Sequence, residues 1–177
     1  MSATDKSSRE FLPINIAVLT VSDTRTDETD KSGQLLVDRI LTQGHRLAEK
    51  IIVPDNKYRI RAQVSQWIAD DNVQAIIATG GTGVTGRDVT PEAVLPLLDK
   101  SIDGFGELFR YLSFKEVNTS TLQSRAIGGI ANGTLIFCLP GSSGACRLGW
   151  DEILRHQLDI RHGPCNFIEI LPRAREK

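Results

Sequence analysis

The sequence predicts a single α/β domain with a mostly parallel, doubly wound sheet and helices on both of its faces. Runs of apolar, largely β-branched residues alternate along the chain with segments in which apolar residues recur every three or four positions. The chain has 177 residues, of which 40% are hydrophobic, and this suits one domain with a substantial core. We expect residues 1–13 to form a flexible tail and residues 14–177 to form the domain.

The strand and helix patterns follow one another in a regular order. The predicted strands are INIAVLTV (14–21), HRLAEKIIVP (45–54), VQAIIATG (73–80) and TLIFCLP (134–140). The predicted helices cover 32–44, 57–71, 90–99, 105–124 with a break near NTST, and 146–160. We expect Asp30 or Ser32 to cap the first helix and Thr90 to cap the third. Repeated strand–helix units of this kind predict parallel strands.

Composition and charge exclude several classes of partner. The formal net charge is −1 and no block of Lys or Arg is present, so we expect neither a nucleic-acid nor a membrane partner. The N-terminal segment is polar and has no apolar signal core, which indicates a cytoplasmic protein.

Cysteine and histidine give no sign of a metal or nucleophile site. The three cysteines, Cys138, Cys146 and Cys165, form no CxxC pair, and an odd number argues against a disulfide framework. We therefore expect neutral thiols in a reducing compartment. The three histidines, His45, His156 and His162, show no metal-ligand spacing, so zinc is not expected.

Three of the predicted strand ends carry unusual polar sequences. They are TVSDTRTDETDKSG (20–33), TGGTGVTGRD (79–88) and LPGSSGA (139–145). Ligands of open α/β sheets bind at the carboxyl ends of the strands, beside the point where the strand order reverses. We therefore expect these three segments to form one composite site.

The glycine-rich segment suggests a loop that binds phosphate through backbone N–H groups. Gly81, Gly83 and Gly86 match the GxGxxG pattern of dinucleotide-binding folds. However, the helix start at Thr90–Pro91 comes several residues too late for that pattern, and no GK[ST] follows as a P-loop would require. A glycine turn with a purely structural role is the alternative.

Asp88 argues against a simple phosphate loop, because a carboxylate beside phosphates is repulsive unless a divalent cation lies between them. Asp55, after the second strand, offers a second acid, although an Asp at such a position is more often the N-cap of the following helix. Arg87 could pair with Asp88 or with a phosphate. The acidic segment 22–33 is otherwise typical of solvated surface.

Taken together, these motifs resemble the MoaB/Mog family of molybdenum-cofactor biosynthesis. The residues that carry the resemblance are AVLTVSD, VPD, ATGGTG, RDVTPEA and PGS, in that order over residues 14–158. FGELFRYLSFKEV, STLQSRA and LPGSSGACRLGW are most similar to the bacterial MoaB branch.

The resemblance implies a molybdopterin-binding fold and an activity. Active members transfer AMP from Mg-ATP to the terminal phosphate of molybdopterin and release pyrophosphate. The two acids that such members need match Asp55 and Asp88, which would then act as ligands or water-mediated anchors of Mg²⁺. The other matching positions, expected to bind substrate and nucleotide, are Ser22, Gly80, Gly81, Thr82, Gly83, Gly141 and Ser142.

The sequence also leaves two alternative functions open, and the resemblance predicts an oligomeric state. A non-catalytic molybdopterin-binding protein of the same pathway is the main alternative, and an NAD-dependent enzyme rests only on GxGxxG. The resemblance also implies a homo-oligomer, either a trimer or a dimer of trimers. The segment IDGFGELFRYLSF is more apolar than a peripheral helix needs, and we expect part of it to contact another subunit through residues among Phe105, Leu108, Phe109, Leu112 and Phe114.

Overall fold

The computed structural model describes residue 6 and residues 8–176, which form one six-stranded sheet with helices on both faces. The strands are β1 Asn15–Val21, β2 Arg46–Val53, β3 Ala75–Thr79, β4 Lys100–Ser101, β5 Ile127–Ala131 and β6 Thr134–Leu139. The α-helices are α1 Lys31–Gln43, α2 Lys57–Ile68, α3 Thr90–Val94, α4 Asp103–Val117, α5 Ser143–Leu148 and α6 Arg155–Gln157. Short 3-10 helices cover Leu95–Leu97, Asn118–Gln123 and Leu171–Arg173, and the π-helical segment Gly149–Leu154 joins α5 to α6.

The strand order is β2-β1-β3-β6-β5-β4. The first four strands pair in parallel, and β5 pairs antiparallel with both β6 and β4. The predicted fold class, a mostly parallel α/β sheet, is confirmed. On β1, Ile16 and Val18 pack towards α1 and α4, whereas Ala17 and Leu19 pack towards α2 and α3. Both faces of β1 are therefore buried, which explains why INIAVLTV lacks polar alternation.

The two antiparallel strands, β4 and β5, were not predicted from the sequence. β4 has only two residues, and β5 contains Gly128 and Gly129, which have no side chain to produce a strand pattern. A Cβ atom on Gly128 would lie 3.0 Å from the Cβ of Phe105, so α4 packs directly on the backbone of β5. A Cβ atom on Gly129 would collide with the Leu98 side chain on the other face of the strand. The glycines that hide β5 from sequence analysis are thus the ones that allow α4 and Leu98 to approach it.

Helix beginnings agree with the sequence at α1 but not at α3. Asp30 caps α1 by accepting a hydrogen bond from the Gly33 N–H at 2.9 Å. Thr90 is not the cap of α3, because the helix begins at Thr90 itself. Its hydroxyl instead donates to the carbonyl oxygen of Gly80 at 2.8 Å. The prediction that Thr90 caps α3 was wrong because the Thr90 hydroxyl binds the glycine loop, ten residues earlier in the sequence, instead of the N–H groups of its own helix.

The N-terminal residues 1–5 and 7 lie outside the described residues, so the flexible tail over 1–13 stays a prediction. In the part that is described, the Phe11 ring centroid lies 4.9 Å from that of His45. Arg9 pairs with Glu169 at 2.5 Å. Across residues 8–176, none of the helices has both the length and the apolar composition that a membrane span requires.

A buried carboxylate fixes the loop that follows β1. The Asp30 side chain accepts from the Thr20 hydroxyl at 2.7 Å and pairs with the Lys50 ammonium at 3.0 Å. Burial alone would raise the pKa of Asp30, but the bonds from Thr20, Gly33 and Lys50 outweigh it and hold the pKa below its usual value. Asp30 thereby joins the end of the loop to β1, β2 and α1.

We expect Asp30→Asn to lower the free energy of unfolding by about 2 to 3 kcal/mol at pH 7, because Asn retains the helix cap but loses charge-assisted bonds. Since the pKa of Asp30 is depressed on folding, its contribution is present above the unfolded pKa and is lost as the pH falls. The difference from wild type should therefore narrow below about pH 4. Urea unfolding over a pH series measures the difference in free energy of unfolding, and Asp38→Asn, at an exposed position of α1, is the control. Equal stability of the two variants would contradict the role of Asp30.

Candidate functional site

A cavity of about 550 Å³ lies at the carboxyl ends of the parallel strands, within the size range of small-molecule sites. It contains every site residue predicted from the sequence, namely Ser22, Asp55, Gly80, Gly81, Thr82, Gly83, Asp88, Gly141 and Ser142. Seven further lining residues belong to the three predicted segments without having been singled out as site residues, namely Thr20, Val21, Thr24, Arg25, Ser32, Thr79 and Pro140. Gln123 and Ser124 also line the cavity and lie outside those segments. The three polar strand ends therefore form one site, as the topology predicted.

The glycine loop needs its first two glycines for steric reasons. Gly80 has φ +99° and Gly81 has φ +63°, a region that side chains disfavour. A Cβ atom on Gly80 would collide with the carbonyl oxygen of Val21, and one on Gly81 would collide with the Thr90 hydroxyl. The loop thus passes over the end of β1 with no room for a side chain.

The third glycine of the GxGxxG match has no comparable role. A Cβ atom on Gly86 would meet nothing within 4 Å, whereas the last glycine of a dinucleotide fingerprint permits close packing of helix on strand. The helix α3 starts only at Thr90, and β3 is not the first strand of the chain. These features argue against a dinucleotide-binding loop.

Backbone donors are available at the turn of the glycine loop. The Gly80 N–H donates to the Leu139 carbonyl at 3.0 Å and is occupied. The N–H groups of Gly81 and Thr82 have no acceptor within residues 8–176, and both residues line the cavity. Two adjacent free N–H groups can bind phosphate oxygens.

Asp88 closes the loop by accepting hydrogen bonds from residues within it. One carboxylate oxygen accepts from the Thr85 hydroxyl at 2.6 Å and from the Thr85 N–H at 2.9 Å. These bonds are the main reason that the pKa of Asp88 lies below its usual value, and the nearby Gly83 N–H lowers that pKa further. Both hydrogen bonds from Thr85 end on the same oxygen, Oδ2. Asp88 therefore shapes the loop and also places a negative charge in the cavity wall.

Asp55 does not cap α2, because the neighbouring Asn56 does so. The Asn56 side-chain oxygen accepts from the N–H groups of Tyr58 and Arg59, at 3.0 and 3.1 Å. Within residues 8–176, no donor reaches the Asp55 carboxylate. Burial raises the pKa of Asp55, and the negative charge of Asp88 raises it further. Asp55 is therefore a half-buried acid without a compensating partner.

The two carboxylates fit a magnesium ion in their chemistry. Mg²⁺ prefers oxygen ligands and is commonly held by one or two carboxylates together with waters and substrate phosphates. Asp55 and Asp88 supply those oxygens, and a cation between them would relieve the repulsion that raises the pKa of Asp55. No larger cluster of His, Cys, Asp and Glu with metal-binding geometry exists in the described part of the chain.

Asp23, in the loop after β1, contacts the loops that follow β2 and β3, and its role was not predicted from the sequence. One of its carboxylate oxygens accepts from the Asp55 N–H at 3.1 Å, and the other pairs with the Arg87 guanidinium. Arg87 was expected to pair with Asp88 or with a phosphate, and that prediction was wrong for Asp88, since Arg87 pairs with Asp23 across 64 positions of sequence. A contact of this range leaves no local pattern.

Of the remaining polar side chains in the cavity, some already accept hydrogen bonds from the protein backbone. The Ser22 hydroxyl accepts from the N–H groups of Thr24 and Arg25, both at 3.2 Å. Ser142 caps α5 through the Ala145 N–H at 3.1 Å. Arg25 contributes a guanidinium to the lining, so the lining carries one cation and the two carboxylates of Asp55 and Asp88. The site alone is thus poorly suited to a polyanion.

The cysteines do not supply a nucleophile to the cavity. Burial raises the pKa of Cys138 to about 12 and that of Cys146 to about 11, and Cys165 is exposed at another surface. Cysteine attack requires a thiolate, so the chemistry of this site does not depend on one.

Comparison with known proteins identifies the family. A family model described as "Probable molybdopterin binding domain" matches residues 17–160. Molybdenum cofactor biosynthesis protein B of Escherichia coli strain K12 is 57% identical over 160 residues, which cover 90% of this chain and 94% of that protein. A crystal structure of a molybdenum cofactor biosynthesis protein B superposes with a TM-score of 0.86 at 40% identity, covering 96% of this chain and 100% of that one.

A more distant relative has the same fold. The tungsten cofactor synthesizing protein MoaB from Pyrococcus furiosus superposes with a TM-score of 0.76 at 34% identity, covering 93% of this chain and 98% of that one. Family model, sequence identity and fold agree over nearly the whole chain. This chain therefore belongs to the MoaB/Mog family of molybdenum-cofactor biosynthesis proteins.

Proposed function

We propose that this protein adenylylates molybdopterin with Mg-ATP and releases pyrophosphate, acting in the cytoplasm. The observation that supports this most directly is the pair Asp55 and Asp88 beside the glycine loop in one cavity. Asp55 has no partner of its own, and its pKa is raised by burial and by Asp88. Such a pair is costly for folding unless a cation and phosphates complete it.

The reaction joins two anions, so charge repulsion is its main obstacle. An oxygen of the terminal phosphate of molybdopterin attacks the α-phosphorus of ATP, and the bond from that phosphorus to pyrophosphate breaks. The N–H groups of Gly81 and Thr82 are free to bind phosphate oxygens, and Arg25 adds a cation to the same cavity. Positioning and charge stabilisation supply most of the catalysis in reactions of this type.

Magnesium, held by Asp55 and Asp88, would neutralise the phosphates and the charge that develops on the leaving pyrophosphate. Asp88 keeps its carboxylate in place through Thr85, and the Asp55 backbone is held by Asp23. No covalent intermediate on the protein is needed.

The alternative is a binding protein that holds molybdopterin without catalysis. The glycine loop and the PGS turn would serve both functions, but the unpaired acid Asp55 would serve only the metal-dependent one. Pyrophosphate release on mixing wild-type protein with molybdopterin and Mg-ATP tests the proposal. Tight molybdopterin binding without any pyrophosphate release would establish the binding protein instead.

We expect Asp88→Asn to reduce pyrophosphate release by about two orders of magnitude or more, because one charge that stabilises the transition state is lost. The Asn oxygen can still accept from Thr85, so the loop should stay closed and molybdopterin affinity should change little. Steady-state kinetics and a molybdopterin titration measure the two effects, with the exposed Asp71→Asn as control. Wild-type turnover in Asp88→Asn would contradict the metal site.

We expect Asp55→Asn to lose turnover on a similar scale and to gain stability at pH 7. Because the pKa of Asp55 is raised on folding, ionised Asp55 opposes folding, and an uncharged Asn removes that penalty while Asn56 still caps α2. The gain should vanish at low pH, where Asp55 of the wild type is protonated. Thermal melts over a pH series, beside a pyrophosphate assay, measure both. A variant that is less stable at pH 7 and fully active would refute both expectations.

We further propose that the protein is a homo-oligomer, a trimer or a dimer of trimers, with α4 at the subunit contact. Phe105 and Phe109 are buried in the core of their own chain, so those two expected contact residues are excluded, and Leu112 is half-buried. Leu108 and Phe114 are exposed. A row of exposed apolar residues runs along α4 at intervals of three, namely Leu108, Tyr111, Phe114 and Val117. An apolar row of this kind is typical of a protein interface.

We expect the double variant Tyr111→Glu/Phe114→Glu to be a folded monomer, because two buried charges would oppose association. Sedimentation velocity at micromolar concentration should show the oligomer for wild type. The control Leu41→Glu/Tyr58→Glu alters similarly exposed residues on α1 and α2 and should remain oligomeric. A monomeric wild type, or an oligomeric Tyr111→Glu/Phe114→Glu, would exclude this interface.

A further inference from the structure

The segment STLQSRA (120–126) forms the end of the 3-10 helix Asn118–Gln123 and the link from it to β5, and the proposed reaction gives it no role. Gln123 and Ser124 line the main cavity, but Arg125 does not. Arg125 is half-buried behind the glycine loop, on the side of a second cavity beside α4. Its position raises the question of what a guanidinium does there.

Arg125 hydrogen-bonds to three carbonyl groups of the glycine loop. Its backbone N–H donates to the Thr82 carbonyl at 3.0 Å. Its guanidinium donates through Nε to the Gly83 carbonyl at 2.7 Å and through one NH2 group to the Asp88 carbonyl at 2.9 Å. The guanidinium also pairs with Glu92 of α3, which anchors it from the far side. Arg125 thus joins both ends of the segment 82–88.

These bonds hold the backbone of the turn on both sides of Thr85. The Thr82 carbonyl is held by the Arg125 backbone N–H, which any residue but proline keeps at this position. The guanidinium itself holds the Gly83 carbonyl, two residues before Thr85, and the Asp88 carbonyl at the other end of the same turn. The Asp88 side chain is held by Thr85, and the backbone on both sides of that contact is held by the Arg125 guanidinium.

Lysine cannot replace arginine in this arrangement. The planar guanidinium directs separate N–H groups at the Gly83 carbonyl, the Asp88 carbonyl and Glu92, whereas an ammonium is a single point charge on a flexible stem. The ion pair with Glu92 also balances the Arg125 charge locally, so the guanidinium need not draw the Asp88 carboxylate away from the cavity.

We propose that Arg125 is a positioning residue that holds the glycine loop and Asp88 in the geometry needed for phosphate and metal binding. Its catalytic consequence rests on the proposed adenylylation, whereas its effect on the loop does not. Arg125 acts through the loop backbone and touches neither substrate.

The effect on the loop is tested by amide hydrogen exchange in the ligand-free protein. In Arg125→Ala, exchange of the Thr85 and Asp88 amides, which are hydrogen-bonded within the loop, should accelerate about tenfold or more relative to the Val18 amide of β1, which serves as an internal reference for global unfolding. Arg125→Lys should show most of this acceleration, since it retains the charge but not the fork. Arg173→Ala, which removes another arginine with a nearby carboxylate partner, should exchange like wild type. Loop exchange within twofold of wild type in both Arg125 variants would overturn the proposal.

The effect on the site is tested by magnesium dependence. The Mg²⁺ concentration for half-maximal pyrophosphate release should rise about tenfold in Arg125→Lys, and kcat should fall, while KM for molybdopterin changes less. Glu92→Gln keeps all three carbonyl contacts and should show a smaller effect than Arg125→Lys. A rise in KM alone, with unchanged kcat and magnesium requirement, would overturn the positioning role.

The two sets of measurements separate this proposal from the proposed activity. Loosened loop amides in Arg125→Ala, in a protein whose wild type never releases pyrophosphate, would uphold the positioning role and refute the adenylylation. If the wild type releases pyrophosphate but the loop amides of Arg125→Ala exchange as in wild type, the adenylylation would be upheld and the positioning role refuted.

Discussion

The close approach of three strand ends at Gly80 is the constraint on which the functional edge of the sheet depends. A Cβ atom on Gly80 would collide with the Val21 carbonyl after β1, and one on Gly141 after β6 would lie 3.2 Å from the Gly80 Cα. The Gly80 N–H donates to Leu139 at the end of β6. Because side chains are excluded there, loops from neighbouring strands share one cavity wall. The polar groups of these loops therefore lie close together in one cavity lining.

That convergence places two acids in one cavity with unequal roles. Asp88 receives hydrogen bonds from the Thr85 N–H and hydroxyl, so it shapes the loop as well as carrying charge. Asp55 receives none within residues 8–176 and opposes folding while it is ionised. The buried carboxylate of Asp30, by contrast, is paired with Lys50. An unpaired acid held beside another acid is typical of a functional site rather than of a stabilising contact.

Sequence periodicity predicted the four parallel strands and most helices, because their burial repeats locally along the chain. It could not reveal β5, whose backbone packs directly against α4 at Gly128 and against Leu98 at Gly129. It could not decide whether Asp55 caps α2, because Asp55 and Asn56 are adjacent residues with the same capping chemistry. Asp23 and Arg125 were beyond its reach for another reason. Their partners lie from 32 to 64 positions away, so only the folded chain brings them together.

The charge of the cavity links phosphate binding to cation binding. With one guanidinium and two carboxylates in its lining, the cavity alone repels a polyphosphate, and the carboxylates alone form a weak cation site. Once a cation is present the repulsion becomes attraction, and by reciprocity bound phosphates strengthen cation binding by the same factor. The free N–H groups of Gly81 and Thr82 contribute to this only while the loop keeps its shape. In the proposed function, a loop held by Thr90 from one side and Arg125 from the other would therefore allow two unfavourable half-sites to become one favourable site.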